Sequence, residues 1–239
     1  MRITILAAAV ALVALAVPSS ARQEPATPEQ RVAALKQSLA ASQKQLRQYE
    51  WIETTIISLK GEEKNRKQQR AYYGADGKIQ KVPLGPAPAP KAPEPSGRRG
   101  GRLKEKVIEN KTEDMKEYME QAAALIHKYV PPSPELVQKA KDGGKLAVKP
   151  LDAGKARLEF TDYLQPGDRL AIDVNAAANN LSALTVGTYL EKPEDVVSLD
   201  VRFAALPDGT SYTAQTTLDA KAKNITVVIQ NSGHRPISK

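Results

Sequence analysis

The chain has 239 residues, a formal net charge of +8 from 35 Lys and Arg against 27 Asp and Glu, and no cysteine. Without cysteine there is no disulfide scaffold and no thiolate for zinc or nucleophilic catalysis, so stability must come from a hydrophobic core. Aromatic residues are only 5% of the chain and Phe occurs twice, so that core is built from Val, Leu, Ile and Ala. The scarcity of rings argues against a carbohydrate-binding module, whose sugars stack on aromatic platforms.

The first segment, "MRITILAAAVALVALAVPSSARQ", reads as a secretory signal peptide. Arg2 supplies the charged start, Ile3 to Val17 the apolar run, and Ser19, Ser20 and Ala21 the small residues for cleavage after Ala21. The run is shorter than the ~20 residues a membrane span needs. An uncleaved N-terminal anchor is the alternative reading. No cysteine follows the cleavage site, which excludes a lipid anchor there, so the expected location is periplasmic or secreted.

A helix is predicted next, over "TPEQRVAALKQSLAASQKQLRQY". Thr27 is a suitable N-cap, Pro28 suits the first helical position and Gln30 completes a capping box. Val32, Leu35, Leu39, Leu46 and Tyr49 recur at helical spacing, with Ser42 as the gap on that face. The pattern then turns to strand in "YEWIETTIISLKG", which is β-branched and aromatic. "EEKNRKQQRAYY" follows as a charged, exposed strand. Asp76-Gly77 signals a hairpin before a third strand at Lys78 to Val82.

"GPAPAPKAPEPSGRRGGR", Gly85 to Arg102, interrupts this order. The basic surplus concentrates around it: Lys60 to Lys106 holds 13 basic and 5 acidic residues, whereas Val107 to Lys239 holds 16 basic and 18 acidic. The preceding helix and three strands offer too little apolar surface for a core of their own. The stretch therefore reads as a proline-stiffened, flexible excursion inside one domain spanning residues 22–239, not as a domain boundary. Its Arg98, Arg99 and Arg102 are candidate contacts for an anionic partner, a membrane surface or an envelope protein. It resembles an RNA-binding arginine-glycine segment but lacks interleaved aromatics, and no nucleic-acid partner is expected for an exported chain.

Beyond the excursion, "RLKEKVIENKTEDMKEYMEQAAALIHKYVPP" is the strongest helix signal. Met115, Tyr118, Met119, Ala122, Leu125, Ile126 and Tyr129 form one apolar stripe, which Pro131 and Pro132 stop. Ser133 then caps a short helix, "SPELVQKAKDGG". "KDGGKLAV" follows a helix instead of opening one, so its glycines read as a cap and not as a phosphate cradle. The last part reads as successive strands: "KARLEFTDYL", "RLAIDV", "LSALTVGTYL", "VVSLDVRFAAL", "SYTAQTTLDA" and "ITVVIQN". Short polar turns such as Gln165-Pro166-Gly167-Asp168 and Pro207-Asp208-Gly209 separate them, the mark of an antiparallel meander.

No catalytic motif appears, and neither an enzyme nor a cofactor is expected. His127 and His234 are far apart in sequence, and His127 has no ligand partner at helical spacing, so no metal site is expected. Carboxylate pairs such as Glu194-Asp195 sit where turns commonly carry charge.

The order of helix, strands, helix pair and long meander resembles the lipoprotein-carrier fold of LolA and LolB, shared by RseB. The likeness runs through "YEWIETTIISLKGE", "DGKIQKVPL" and the strands from "YLQPGDRLAIDV" to "ITVVIQNS". It implies an α+β fold: a strongly curved antiparallel sheet, an incomplete barrel, covered by the N-terminal helix and the central helix pair. It further implies a non-catalytic periplasmic protein that holds an acyl chain, lipid, lipoprotein acyl chain or other apolar ligand between sheet and lid. Candidate lining residues are Leu170, Ile172, Val174, Val197, Leu199, Val201 and Phe203 from the strands, with Met115, Met119 and Ile126 from the lid. The alternative is a structural or interaction protein of the cell envelope whose basic segment docks on an anionic partner or membrane surface.

Overall fold

The computed structural model describes residues 28–85, 101–152 and 154–237. The leader Met1 to Ala21, Arg98 and Arg99 lie outside the described residues. In chain order the elements are α1 (Pro28–Leu46), β1 (Tyr49–Leu59), β2 (Glu62–Tyr73), β3 (Ile79–Pro83), α2 (Gly101–Ile126) and α3 (Pro134–Asp142). Seven strands follow: β4 (Leu146–Pro150), β5 (Lys155–Thr161), β6 (Arg169–Asn175), β7 (Asn180–Tyr189), β8 (Val196–Ala205), β9 (Ser211–Ala220) and β10 (Ile225–Pro236).

All ten strands join one curved antiparallel sheet in the order β3-β2-β1-β10-β9-β8-β7-β6-β5-β4. The sheet does not close into a barrel, and β3 and β4 are its edges. This is the α+β architecture implied by the resemblance. The two edge strands are consecutive in sequence, so the chain between them must pass from one edge to the other, and it carries α2 and α3 on the way. Each hairpin is local except one: β1 pairs with β10, with Thr54 opposite Gln230.

Local chemistry accounts for the joints. Gly77 has φ +74, in the left-handed region that the Asp76-Gly77 turn requires, and the Asp76 carboxylate accepts a bond from the Lys78 N–H. Ser133 caps α3 by accepting from the Leu136 N–H, and Gly143 ends the helix. Two differences from the sequence reading are local. β4 lies where the glycines read only as a cap; its Leu146 pairs opposite Phe160, and the rest of the strand is exposed, so it lacks the alternation that would mark it. The stripe residue Tyr129 sits just past the end of α2, fully buried.

Strand register places one apolar row across the inner face. Ile57 lies opposite Val227, Val227 opposite Leu218, Leu218 opposite Leu199, and Leu199 opposite Val186. The row continues through Leu170, Phe160 and Leu146. Over β5 to β8 this face is sealed by Ala122 and Ile126 of α2, by Tyr129 and by Ala140 of α3. The outer face is polar and cross-linked. Arg157 donates two bonds to Asp173 on the next strand, at 2.6 and 2.8 Å, and Lys149 pairs with Glu159 at 2.8 Å.

Ser42, the gap in the α1 stripe, is buried, and its hydroxyl oxygen accepts a bond from the Ser211 N–H at 3.0 Å. The helix thus meets the start of β9 through a polar contact where a leucine would leave a backbone donor without a partner.

Candidate functional site

The inner face has two halves. In the sealed half, Leu170, Val186 and Val197 are fully buried, and Phe160, Leu199 and Val201 nearly so. Each such side chain contributes about 1.5–3 kcal/mol of burial, so this half is the stability core. In the other half, Ile57 is 39% exposed although it stands in the same row. Here Ile57, Leu59, Ile225 and Val227 of the sheet face Met115, Met119 and Ala123 of α2 across an open groove of about 590 Å³. Lys64, Lys116 and Glu120 stand at its rim. Lys64 pairs with Glu62 at 2.5 Å, and Lys116 approaches Glu120 at 3.8 Å.

The lid is pinned by two tyrosines, Tyr118 within α2 and Tyr129 just past its end. Tyr118 donates to Asp195, and Tyr129 donates to Asp168 at 2.5 Å while sharing a 2.8 Å bond with Thr188. Burial, then the bond to the neighbouring aspartate, pushes both phenols well above their ordinary pKa, so both remain donors. Asp168 is 2% exposed and also accepts the N–H groups of Tyr163, Leu164 and Gln165. This carboxylate closes the turn between β5 and β6 and anchors the chain beyond α2.

The candidate lining residues are thereby separated. Leu170, Val197, Leu199, Val201 and Ile126 belong to the sealed core, with Ile172 and Phe203 packed against it. Val174 is partly buried near the end of β6. Met115 and Met119 instead border the groove. Arg102 lies in the first turn of α2. The groove's sheet residues, Ile57, Leu59, Ile225 and Val227, were missed as a site. The alternation in "TTIISL" and "ITVVI" was visible, but the pairing of these distant strands was not. His127 is exposed, and among the described residues no cluster of three His, Asp or Glu side chains could hold a metal ion. Among them, too, no helix is long and apolar enough to cross a membrane.

A second cavity, of about 160 Å³, lies on the same face toward the other end of β1 and β10, lined by Trp51, Glu53, Tyr73, Tyr212, Asn231 and His234 among others. On the outer face a depression of about 400 Å³ surrounds Gly187, between Ala171, Thr185 and Ser198.

Comparison with known proteins finds no matching family model and no matching curated sequence. Among solved structures, the chain is similar to a DUF1329 family protein from Desulfovibrio piger. The TM-score is 0.40 at 16% identity, over 86% of this chain and 92% of that one. It is also similar to a LolA superfamily protein from Nitrosomonas europaea, with a TM-score of 0.38 at 8% identity, over 86% of this chain and 94% of that one.

Proposed function

We propose that this is an exported, non-catalytic binding protein that holds one acyl chain in the groove between α2 and the β1–β10 pair. The observation that carries the reading is the groove's lining: apolar side chains on both walls, charged groups only at the rim, and an exposed Ile57 in a row that is buried over β5 to β8. Its volume of about 590 Å³ lies within the range of about 300–1,000 Å³ common for small-molecule sites. Met115 and Met119 suit a linear apolar ligand, because unbranched thioether side chains adapt to its position. Each buried methylene contributes about 0.8 kcal/mol, so five amount to about 4 kcal/mol, roughly a thousandfold in affinity.

The test is binding of dansyl-labelled undecanoic acid to the purified mature protein, with native mass spectrometry of the same sample for co-purified lipid. Saturable binding that is lost in Val227→Glu and in Met119→Glu supports the reading. Absence of binding in the folded wild type, or binding indifferent to both substitutions, overturns it.

A further inference from the structure

We infer that the groove's ligand is a single-chain amphiphile with an anionic head, and that Lys67 of β2 receives that head; the inference rests on the groove holding the chain. Register places the lysine. Ile57 of β1 lies opposite Asn65, and Thr55, two residues back along β1, lies opposite Lys67. Opposed residues share a face and side chains alternate along a strand, so Lys67 points inward beside Ile57, one row farther from the β1–β2 turn. That row runs through Lys67, Thr55, Ile229 and Thr216 across β2, β1, β10 and β9.

The inner face therefore changes polarity along the direction of β1. At Ile57, Val227 and Leu218 it is apolar, and Met115 and Met119 stand across the groove from it. The next row brings the ammonium of Lys67 and the hydroxyls of Thr55 and Thr216, both only partly buried. The row after that holds Gln69, Glu53 and Asn231. Diagonal neighbours on a sheet are about 7–8 Å apart, a gap that the four-carbon stem of lysine reaches across. A linear ligand with its methylenes against Ile57 and Val227 thus meets Lys67 at the polar end of the trough.

Charge selects the head. The other cations near this path are already engaged. Lys64 pairs with Glu62 at 2.5 Å, Lys116 approaches Glu120 at 3.8 Å, and Lys223 lies over the Tyr118 ring at 5.5 Å. Farther along, the buried Glu53 carboxylate is neutralised by the Lys81 ammonium at 2.6 Å. Lys67 is exposed, and among the described residues it belongs to no ion pair. The inward charges of β1 to β3 beyond the groove rim therefore sum to one uncompensated positive charge, at Lys67. A carboxylate or phosphate accepts from an ammonium and from neighbouring hydroxyls together, whereas a cationic head would be repelled.

The test compares dansyl-undecanoic acid with its methyl ester, which keeps the chain and removes the charge. The acid should bind about fivefold more tightly, the scale of a solvent-accessible ion pair. Lys67→Gln should lower the acid to the affinity of the ester and leave the ester unchanged. Arg66→Gln, the adjacent cation on the opposite face of β2, should preserve the difference. Dodecanoate or dodecyl phosphate should displace the bound acid, and dodecyltrimethylammonium should not. Acid and ester bound alike, with both lost in Val227→Glu, keeps the groove and overturns the anionic head. A preference for the acid that survives Lys67→Gln but falls in Lys223→Gln or Arg66→Gln overturns the assignment to Lys67. Failure of both probes to bind the folded wild type overturns the groove itself, and the head site with it.

Discussion

The two halves of the inner face share one strand register and differ in what covers them. Ile57 and Leu170 stand in the same apolar row, yet one is 39% exposed and the other fully buried. Over β5 to β8 the cover is dense: Tyr129, just past the end of α2, is tied to Asp168, and Tyr118, within the helix, to Asp195. Over β1 and β10 the helix offers methionines across a gap. The difference teaches that alternation decides which side chains face inward, while the polar anchors of the lid decide which of those become core and which remain surface for a ligand.

That contrast can be broken most severely at Asp168. Asp168→Asn places an amide among three backbone N–H donors and a tyrosine, and should destabilise the protein by about 3 kcal/mol or more, seen as a large drop in Tm. Next, Leu170→Ala should cost about 2–5 kcal/mol, whereas Val227→Ala, in the same row, should cost less than about 1 kcal/mol while weakening dansyl-undecanoate binding. Equal costs in a denaturant titration would erase the distinction between core and groove. Ser42→Ala, which strands the buried Ser211 N–H, should cost about 1 kcal/mol in the same measurement.

The smallest effect concerns His234. Its pKa is lowered in the fold by burial, so on acidification the unfolded chain takes up the proton first, from about pH 6.5. The histidine's contribution is therefore intact above that pH and is lost as pH falls through the folded-state value. His234→Phe should flatten the decline of Tm between about pH 7 and 5 relative to wild type. Glu53 and Lys81 lie beside the same ring cluster and are common to both proteins, so the difference isolates the histidine.

The sequence by itself determined the elements and their inward faces. The Asp76-Gly77 turn, the Ser133 cap, the polar β2 and the alternating strands from β5 to β9 follow from interactions a few residues long, and such interactions are written locally. It also carried the order of elements that suggested an open, helix-covered antiparallel sheet. It did not reveal β4, whose short exposed sequence has no pattern until Leu146 finds Phe160. It read Ser42 as a defect, because the donor that needs it belongs to Ser211. Only the tertiary structure decided that β1 pairs with β10, and both the groove and the aromatic cavity depend on that pairing. The physical reason is separation along the chain: a strand's periodicity fixes which way its side chains point, but the partner that completes a surface is chosen by the packing of the whole sheet and its lid.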